Sequence, residues 1–196
     1  MKSKRLQGAF RRKQKLNRKI TNRVIIRQLS GDDYDAFSAA VRRSRSLHRN
    51  WVNSKAMTRA VFEKYLKSSS TGQNYRFFVV LRATGELVGV INLNNVVHGH
   101  FQCAAAGYYA FLPHAGKGLM REGLALVLKY AFQKLKLHRV EANIQPDNRR
   151  SIALAKSCGL LREGFSRRFV KVCGRWKDHE RWAILVEDLR PGRNAR

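Results

Sequence analysis

Pro113-His114-Ala115-Gly116-Lys117-Gly118-Leu119-Met120 joins an apolar run, Tyr108 to Leu112, to a long stretch whose apolar residues recur with helical spacing. The pattern reads as a strand, a glycine turn and the start of a helix. Two glycines one residue apart let the backbone turn tightly and aim several N–H groups at one point. There the helix dipole adds the equivalent of about half a positive charge. An anion is the expected occupant. Alone, a Gly-x-Gly turn more often closes a loop than binds phosphate, so the residues around it must decide.

Working outward, Leu124, Val127, Leu128, Ala131, Phe132 and Leu135 give the helix after the turn one buried stripe. Val140, Ala142 and Ile144 then alternate as a strand that Pro146 stops, and a short helix is expected from Arg149 to Ser157 before Gly159. Upstream, Val24 to Leu29 reads as a strand, followed by a helix whose entry is marked by Ser30, Asp32 and Asp33. A second helix is expected from about Met57 to Lys67. The apolar runs Tyr75 to Leu81 and Leu87 to Leu93 flank Ala83-Thr84-Gly85-Glu86 as a β-hairpin. Cys103 to Leu112 is the next strand, and Arg167 to Val172 and Arg181 to Val186 form a last pair around Gly174. The fold class is mixed α/β. One domain over residues 24–190 is expected, preceded by a flexible basic arm over 1–23 and followed by a tail over 191–196.

The chain has 196 residues, 44% of them apolar, which suits one globular domain with a continuous core. No apolar run is long enough to cross a bilayer and no secretory h-region follows the N-terminal charges, so a cytoplasmic protein without membrane contact is expected. Cys103, Cys158 and Cys173 are odd in number and far apart, and no His cluster has metal spacing. Three reduced, mostly buried thiols and no metal are expected. Charge is the unusual property: 40 Lys plus Arg against 13 Asp plus Glu give a formal +27. Ten of the basic residues fall within residues 1–23, yet the remainder is still strongly positive. Such a field concentrates a protein on polyanions, RNA above all, unless the surface is merely solvated.

Five motifs in order carry a family resemblance: Asn94-Asn95-Val96-Val97-His98-Gly99; Gly116-Lys117-Gly118-Leu119-Met120; His138-Arg139-Val140-Glu141-Ala142-Asn143; Asn148 with Ser151; and Gly174-Arg175-Trp176-Lys177-Asp178-His179. From about Val24 to Leu189 the chain resembles the Gcn5-related N-acetyltransferase (GNAT) superfamily. Within it, the chain is most similar to the RimJ and RimL enzymes that acetylate the N-termini of ribosomal proteins, and closer to RimJ. The resemblance implies a mostly antiparallel twisted sheet with two splayed parallel strands and flanking helices. It also implies acetyl-CoA as co-substrate in the cleft between those strands.

On that resemblance, the N–H groups of Ala115, Gly116, Lys117, Gly118, Leu119 and Met120 would hold the pyrophosphate. The strand edge at Phe111 and Leu112 would pair with the pantetheine amides, and Asn143, Asn148 and Ser151 would face the pantetheine arm. From spacing alone Asn148 reads first as a plain N-cap and Ser151 as an ordinary exposed helix residue; the resemblance reverses that reading. Ser151 would protonate the departing thiolate. The tyrosine that many superfamily members use for this falls at Ala155, and the carboxylate of RimL-like enzymes falls near Val170, so neither is available. The base is left open. Glu141 is the nearest carboxylate, while Tyr108, His98 and His179 are alternatives more often structural or pocket-forming. Trp51, with Tyr108 and His179, would wall the acceptor pocket. Pro113 and Ala115 depart from the usual turn residues, which bears on cofactor affinity.

The acceptor implied is the α-amino group of a protein, a ribosomal protein first, in a monomeric or dimeric enzyme whose basic arm touches ribosomal RNA. Two rival readings are a small-molecule amine as acceptor, and an RNA-binding assembly factor with a vestigial acetyl-CoA site.

Overall fold

The structure, a computed structural model, describes residues 23–51, 57–69 and 72–189. The expected basic arm, apart from Arg23, and the tail lie outside the described residues. In chain order the elements are β1 (Val24–Gln28), α1 (Tyr34–Arg43), α2 (Arg45–His48), α3 (Arg59–Lys67), β2 (Tyr75–Leu81), β3 (Leu87–Val97) and β4 (Cys103–Ala110). There follow α4 (Leu119–Gln133), β5 (Arg139–Ile144), α5 (Arg149–Ser157), β6 (Leu161–Val172) and β7 (Arg175–Leu185). No helix among the described residues is long and apolar enough to cross a membrane.

The strands form one sheet in the order β1-β2-β3-β4-β5-β7-β6. Only β4 and β5 run parallel. The periodicities explain the layers. In β2 the run is continuously apolar because both faces are covered: Phe77 and Val79 pack under α4, while Phe78 and Val80 pack under α1 and α3 with Phe37, Phe62 and Phe111. The stripe Leu124, Val127, Leu128, Ala131 and Phe132 is buried against the first of these faces. Leu135 lies just past the helix and still packs on that core.

Several boundaries differ from those expected. The helix announced by Ser30 begins at Tyr34, after a 3-10 turn over Gly31–Asp33. The Asp33 carboxylate accepts the Ser30 N–H at 2.8 Å and is gripped by both terminal nitrogens of Arg27. Leu112 belongs to the turn, not to the strand. β3 extends to Val97, through Asn95 at a positive φ and with Val96 in the core, and β6 begins at Leu161 well before Arg167, where the ladder is largely exposed and has no apolar alternation to reveal it. Of the thiols only Cys158 is buried; Cys103 is half-buried and Cys173 exposed, which corrects the expectation of mostly buried cysteines.

Gly123 sets how closely α4 approaches the sheet. A Cβ there would lie 2.6 Å from one methyl of Val79 and 2.8 Å from the other. Val79 is fully buried and branched, so it has no room to move. Gly123→Ala is therefore expected to lower the unfolding free energy by about 1–3 kcal/mol despite the better helix propensity of alanine. Urea denaturation measures it, and adding Val79→Ala should recover part of the loss.

Candidate active site

Pairing between β4 and β5 stops after Cys103–Arg139, Ala104–Val140 and Ala105–Glu141. Beyond that point β5 stays paired with β7 to Ile144, whereas β4 stays with β3 to Ala110. The two parallel strands separate, and a cleft of about 270 Å³ opens between them. Residues of β4 (Ala106 to Tyr109), β5 (Ala142 to Ile144), Gln145, Asn148, Ser151, Asn92, Trp51 and His179 line it.

The glycine turn follows β4 in the chain and starts α4. Gly116 and Gly118 have φ of 83° and 76°, the left-handed region that side-chain-bearing residues rarely occupy, and Gly118 caps the fifteen-residue α4. Nothing lies within 4 Å of a Cβ placed on Gly116, and only an Arg23 nitrogen, at 3.7 Å, approaches one on Gly118. Among the described residues, the backbone N–H groups of Ala115 to Met120 make no well-aligned hydrogen bond to an acceptor outside their own turn and helix. Lys117 is exposed, whereas Leu119 and Met120 point into the core and contribute backbone alone. The buried Glu122 in the first turn is paired with Arg23, which offsets a negative charge near the anion position.

The strand edge available to an added extended chain is not at Phe111 and Leu112. Phe111 is fully buried with its N–H on Val88 O, and the Leu112 N–H donates to Ser44 Oγ at 2.9 Å while its carbonyl accepts from Arg43. This corrects the expected pairing. Because backbone groups alternate sides along a strand, the Phe111 bond to β3 turns the N–H groups of Ala106, Tyr108 and Ala110 toward β5 and the cleft.

Inside the cleft, Asn148 caps α5, its Oδ1 accepting the Ser151 N–H at 3.1 Å. The N-cap role and a place on the cleft wall therefore coexist. The Tyr108 hydroxyl donates to the Ser151 carbonyl at 3.1 Å, and burial, with the nearby Cys158 adding to it, pushes its phenol far above the usual range. Tyr108 stays protonated. Asn143 has a buried Oδ1 without a hydrogen-bond partner among the described residues. An orphaned carbonyl oxygen on the wall is a free acceptor for an amide N–H, and a buried polar atom is expected to find one. Open glycines, unclaimed N–H groups and this orphan together fit an extended, amide-bearing, diphosphate-containing molecule such as acetyl-CoA.

His179, on β7, is buried beside the cleft with its Nδ1 2.9 Å from Lys177 O and its ring edge-on to Phe169. A carbonyl can only accept, so Nδ1 carries the hydrogen and the neutral ring has its lone pair on Nε2. Nε2 has no partner among the described residues. Glu141 differs on every count. It stands where β4 and β5 are still paired, does not line the cleft, and is held between Arg139 at 2.8 Å and Arg181 at 3.0 Å. Burial opposes its charge, but the two guanidinium groups outweigh this and hold its carboxyl below the usual range. A carboxylate so stabilised is a poor base, and the Glu141 expectation is withdrawn. His98 is exposed at the end of β3 and does not reach the cleft, and Ala155 is core. Val170 sits on the exposed part of β6. No group of three or more potential metal ligands occurs among the described residues.

His48, which the sequence did not single out, supports the wall. Its Nε2 donates to Ala110 O at 2.7 Å, and its carbonyl accepts the N–H of Trp51 at 2.8 Å. Burial pushes its imidazole below the ordinary 6.5, with the bond to Ala110 opposing only in part. Below that ordinary value the unfolded chain takes up a proton that the folded ring resists, so stability through His48 falls as pH drops through this window. His48→Gln keeps an N–H donor and removes the titration. The urea midpoint of the variant should change less between pH 7 and 5.5 than that of the parent chain.

The acetyltransferase (GNAT) domain family matches residues 23–161 of the chain. The probable N-acetyltransferase YjcK of Bacillus subtilis (strain 168) is 37% identical over 125 residues, covering 64% of this chain and 69% of that protein. The ribosomal protein uS5-alanine N-acetyltransferase of Escherichia coli (strain K12) is 37% identical over 108 residues, 55% of this chain; the match spans 56% of its own length, little more than half. Among solved structures, Mycobacterium smegmatis RimJ in complex with CoA-disulfide has a TM-score of 0.75 at 28% identity, covering 86% of this chain and 84% of that one.

Proposed function

We propose that this chain, which belongs to the acetyltransferase (GNAT) family, transfers an acetyl group from acetyl-CoA to the N-terminal α-amino group of a protein, with a ribosomal protein as the leading acceptor. The observation that carries this reading is the opening between β4 and β5, which has Ser151, Asn143 and His179 along its walls; the open glycine turn at Gly116 and Gly118 between β4 and α4 supports it. The similarity to the uS5-alanine enzyme supports the acceptor class. So does the charge: at a formal +27 the chain repels a polycationic amine. In this proposal residues 24–190 are the catalytic domain, flanked by a basic arm and a short tail, and the enzyme works in the cytoplasm.

Acetyl-CoA supplies an activated thioester that an amine attacks directly, so positioning contributes most of the acceleration. The N–H groups of Ala115 to Met120 hold the diphosphate at the start of α4. Ala106, Tyr108 and Ala110 present strand N–H groups to the carrier arm and to the carbonyl oxygen as it gains charge, and Asn143 Oδ1 accepts an amide. His179 Nε2 receives the proton of the attacking amine. An α-amino group has a reference pKa near 8, so about a tenth is already neutral at pH 7 and the demand on this base is light. Ser151 Oγ would donate its proton to the departing thiolate and be reprotonated by solvent, while His179 releases the amine proton to solvent. Trp51 closes the acceptor side.

Ribosomal proteins incubated with the enzyme and isotopically labelled acetyl-CoA test the acceptor. Mass spectrometry is expected to show one added acetyl group on the N-terminus of a single protein. Labelling spread over lysine side chains, or confined to free polyamines, would refute the acceptor class.

A further inference from the structure

The end of the sheet opposite β1 projects away from the core. From Phe165 to Asp178 the β6–β7 hairpin is exposed along almost its whole length, turning tightly at Cys173 and Gly174, whose φ of 49° and 80° suit a two-residue hairpin turn. Such a solvent-facing ribbon would ordinarily be polar. Here Trp176 is 60% exposed, Phe165 48% and Phe169 40%. Between them stand Arg167, Arg168, Lys171, Arg175 and Lys177 against the single acid Asp178. The register spreads these over both faces: Lys171 lies opposite Trp176 on one, and Lys177 opposite Val170 and Arg175 opposite Val172 on the other. Asp178 is used internally, accepting the Arg168 N–H at 2.7 Å.

Charge alone would suit any polyanion. The exposed rings narrow the choice, since flat aromatic surfaces interleaved with cations bind unpaired bases by stacking while the cations track the phosphates. An acidic polypeptide would use the Lys and Arg side chains but offers nothing flat to Trp176. We infer that the β6–β7 hairpin is a binding surface for single-stranded RNA, with Trp176 as a stacking platform and the phosphates on Lys171, opposite it on the same face, and on Arg175 beside the turn. Phe169 packs on His179 at the cleft wall, but Trp176, Lys171 and Arg175 do not line the cleft, and the inference stands whether or not the proposed acceptor is right.

The test uses the full chain and a fluorescein-labelled twelve-nucleotide oligouridylate, read by anisotropy over a range of salt. Trp176→Ala is expected to weaken binding about tenfold, the scale of one lost base stack. Lys171→Gln combined with Arg175→Gln should lower the slope of log affinity against log salt by about two, one for each phosphate contact. Acetylation of a short peptide should be unchanged in both variants, since none of these residues lines the cleft. Ultraviolet cross-linking followed by peptide mapping should place the RNA on residues 165–178. Unchanged affinity in both variants, cross-links confined to residues 1–22, or displacement of the RNA by polyglutamate as effective as by unlabelled RNA would overturn the inference.

Discussion

His179→Gln is expected to lower kcat for peptide acetylation by about 100-fold or more, the usual scale for a lost general base, with little change in KM for acetyl-CoA. The argument rests on one hydrogen bond. Lys177 O holds Nδ1 at 2.9 Å and so fixes where the lone pair of the neutral ring lies. Glutamine fills similar space and can still donate to that carbonyl, but it has no basic nitrogen to offer the amine. A variant that merely loosened β7 would raise KM and lower the melting temperature together, and neither change is expected here. Activity should partly return at higher pH, where more of the attacking amine is neutral without help. A variant with full kcat at pH 7 would exclude His179 as the base, and Glu141, tied to Arg139 and Arg181, would not become a better candidate.

Gly118→Glu is expected to abolish acetyl-CoA binding. At about one hundred times its Kd, a ligand bound only by the folded chain stabilises it by roughly 2.7 kcal/mol, or several degrees in melting temperature for a domain of this size. The parent chain should show that shift and the variant should not. Two effects coincide: the carboxylate stands where the diphosphate is expected, and a glutamate is forced to the φ of 76° found at this position. Gly118→Asn separates them, because asparagine tolerates the left-handed region and adds no charge; it should keep part of the shift. A full shift in Gly118→Glu would mean that the diphosphate is held elsewhere.

Ser151→Ala is a milder change. The departing thiolate can take its proton from water, and Tyr108 remains protonated beside the Ser151 carbonyl. A fall in kcat of about tenfold, measured by thiol release, is the expected outcome, at the low end of acid–base contributions.

Much of the architecture can be read from residue order. The strand, Gly-x-Gly turn and amphipathic helix from Tyr108 to Leu135 are local facts: a left-handed backbone needs glycine, and one-sided burial needs a 3.6-residue period. The short helix Arg149–Ser157 was legible for the same reason, between the stop at Pro146 and Gly159. The four-residue helix Arg45–His48 left no such trace, being too short to show a period. The length of β6 was hidden too, since an exposed ladder is held by backbone hydrogen bonds that any side chain permits.

The chemistry divides along the same line. Gly116, Gly118, Asn148 and Ser151 announce themselves because they act near their neighbours in sequence. Glu141 and His179 could not be ranked that way. Only tertiary structure shows that one carboxylate is locked between guanidinium groups from two strands, and that the imidazole is oriented by a carbonyl two residues away and brought to a cleft formed by distant segments. Only it shows that the open edge of β4 precedes Phe111, because strand direction and pairing partner, not residue type, decide which way a backbone N–H points. Sequence thus determined the local turns and periods of this protein; the pairing of remote strands decided which groups are free to act.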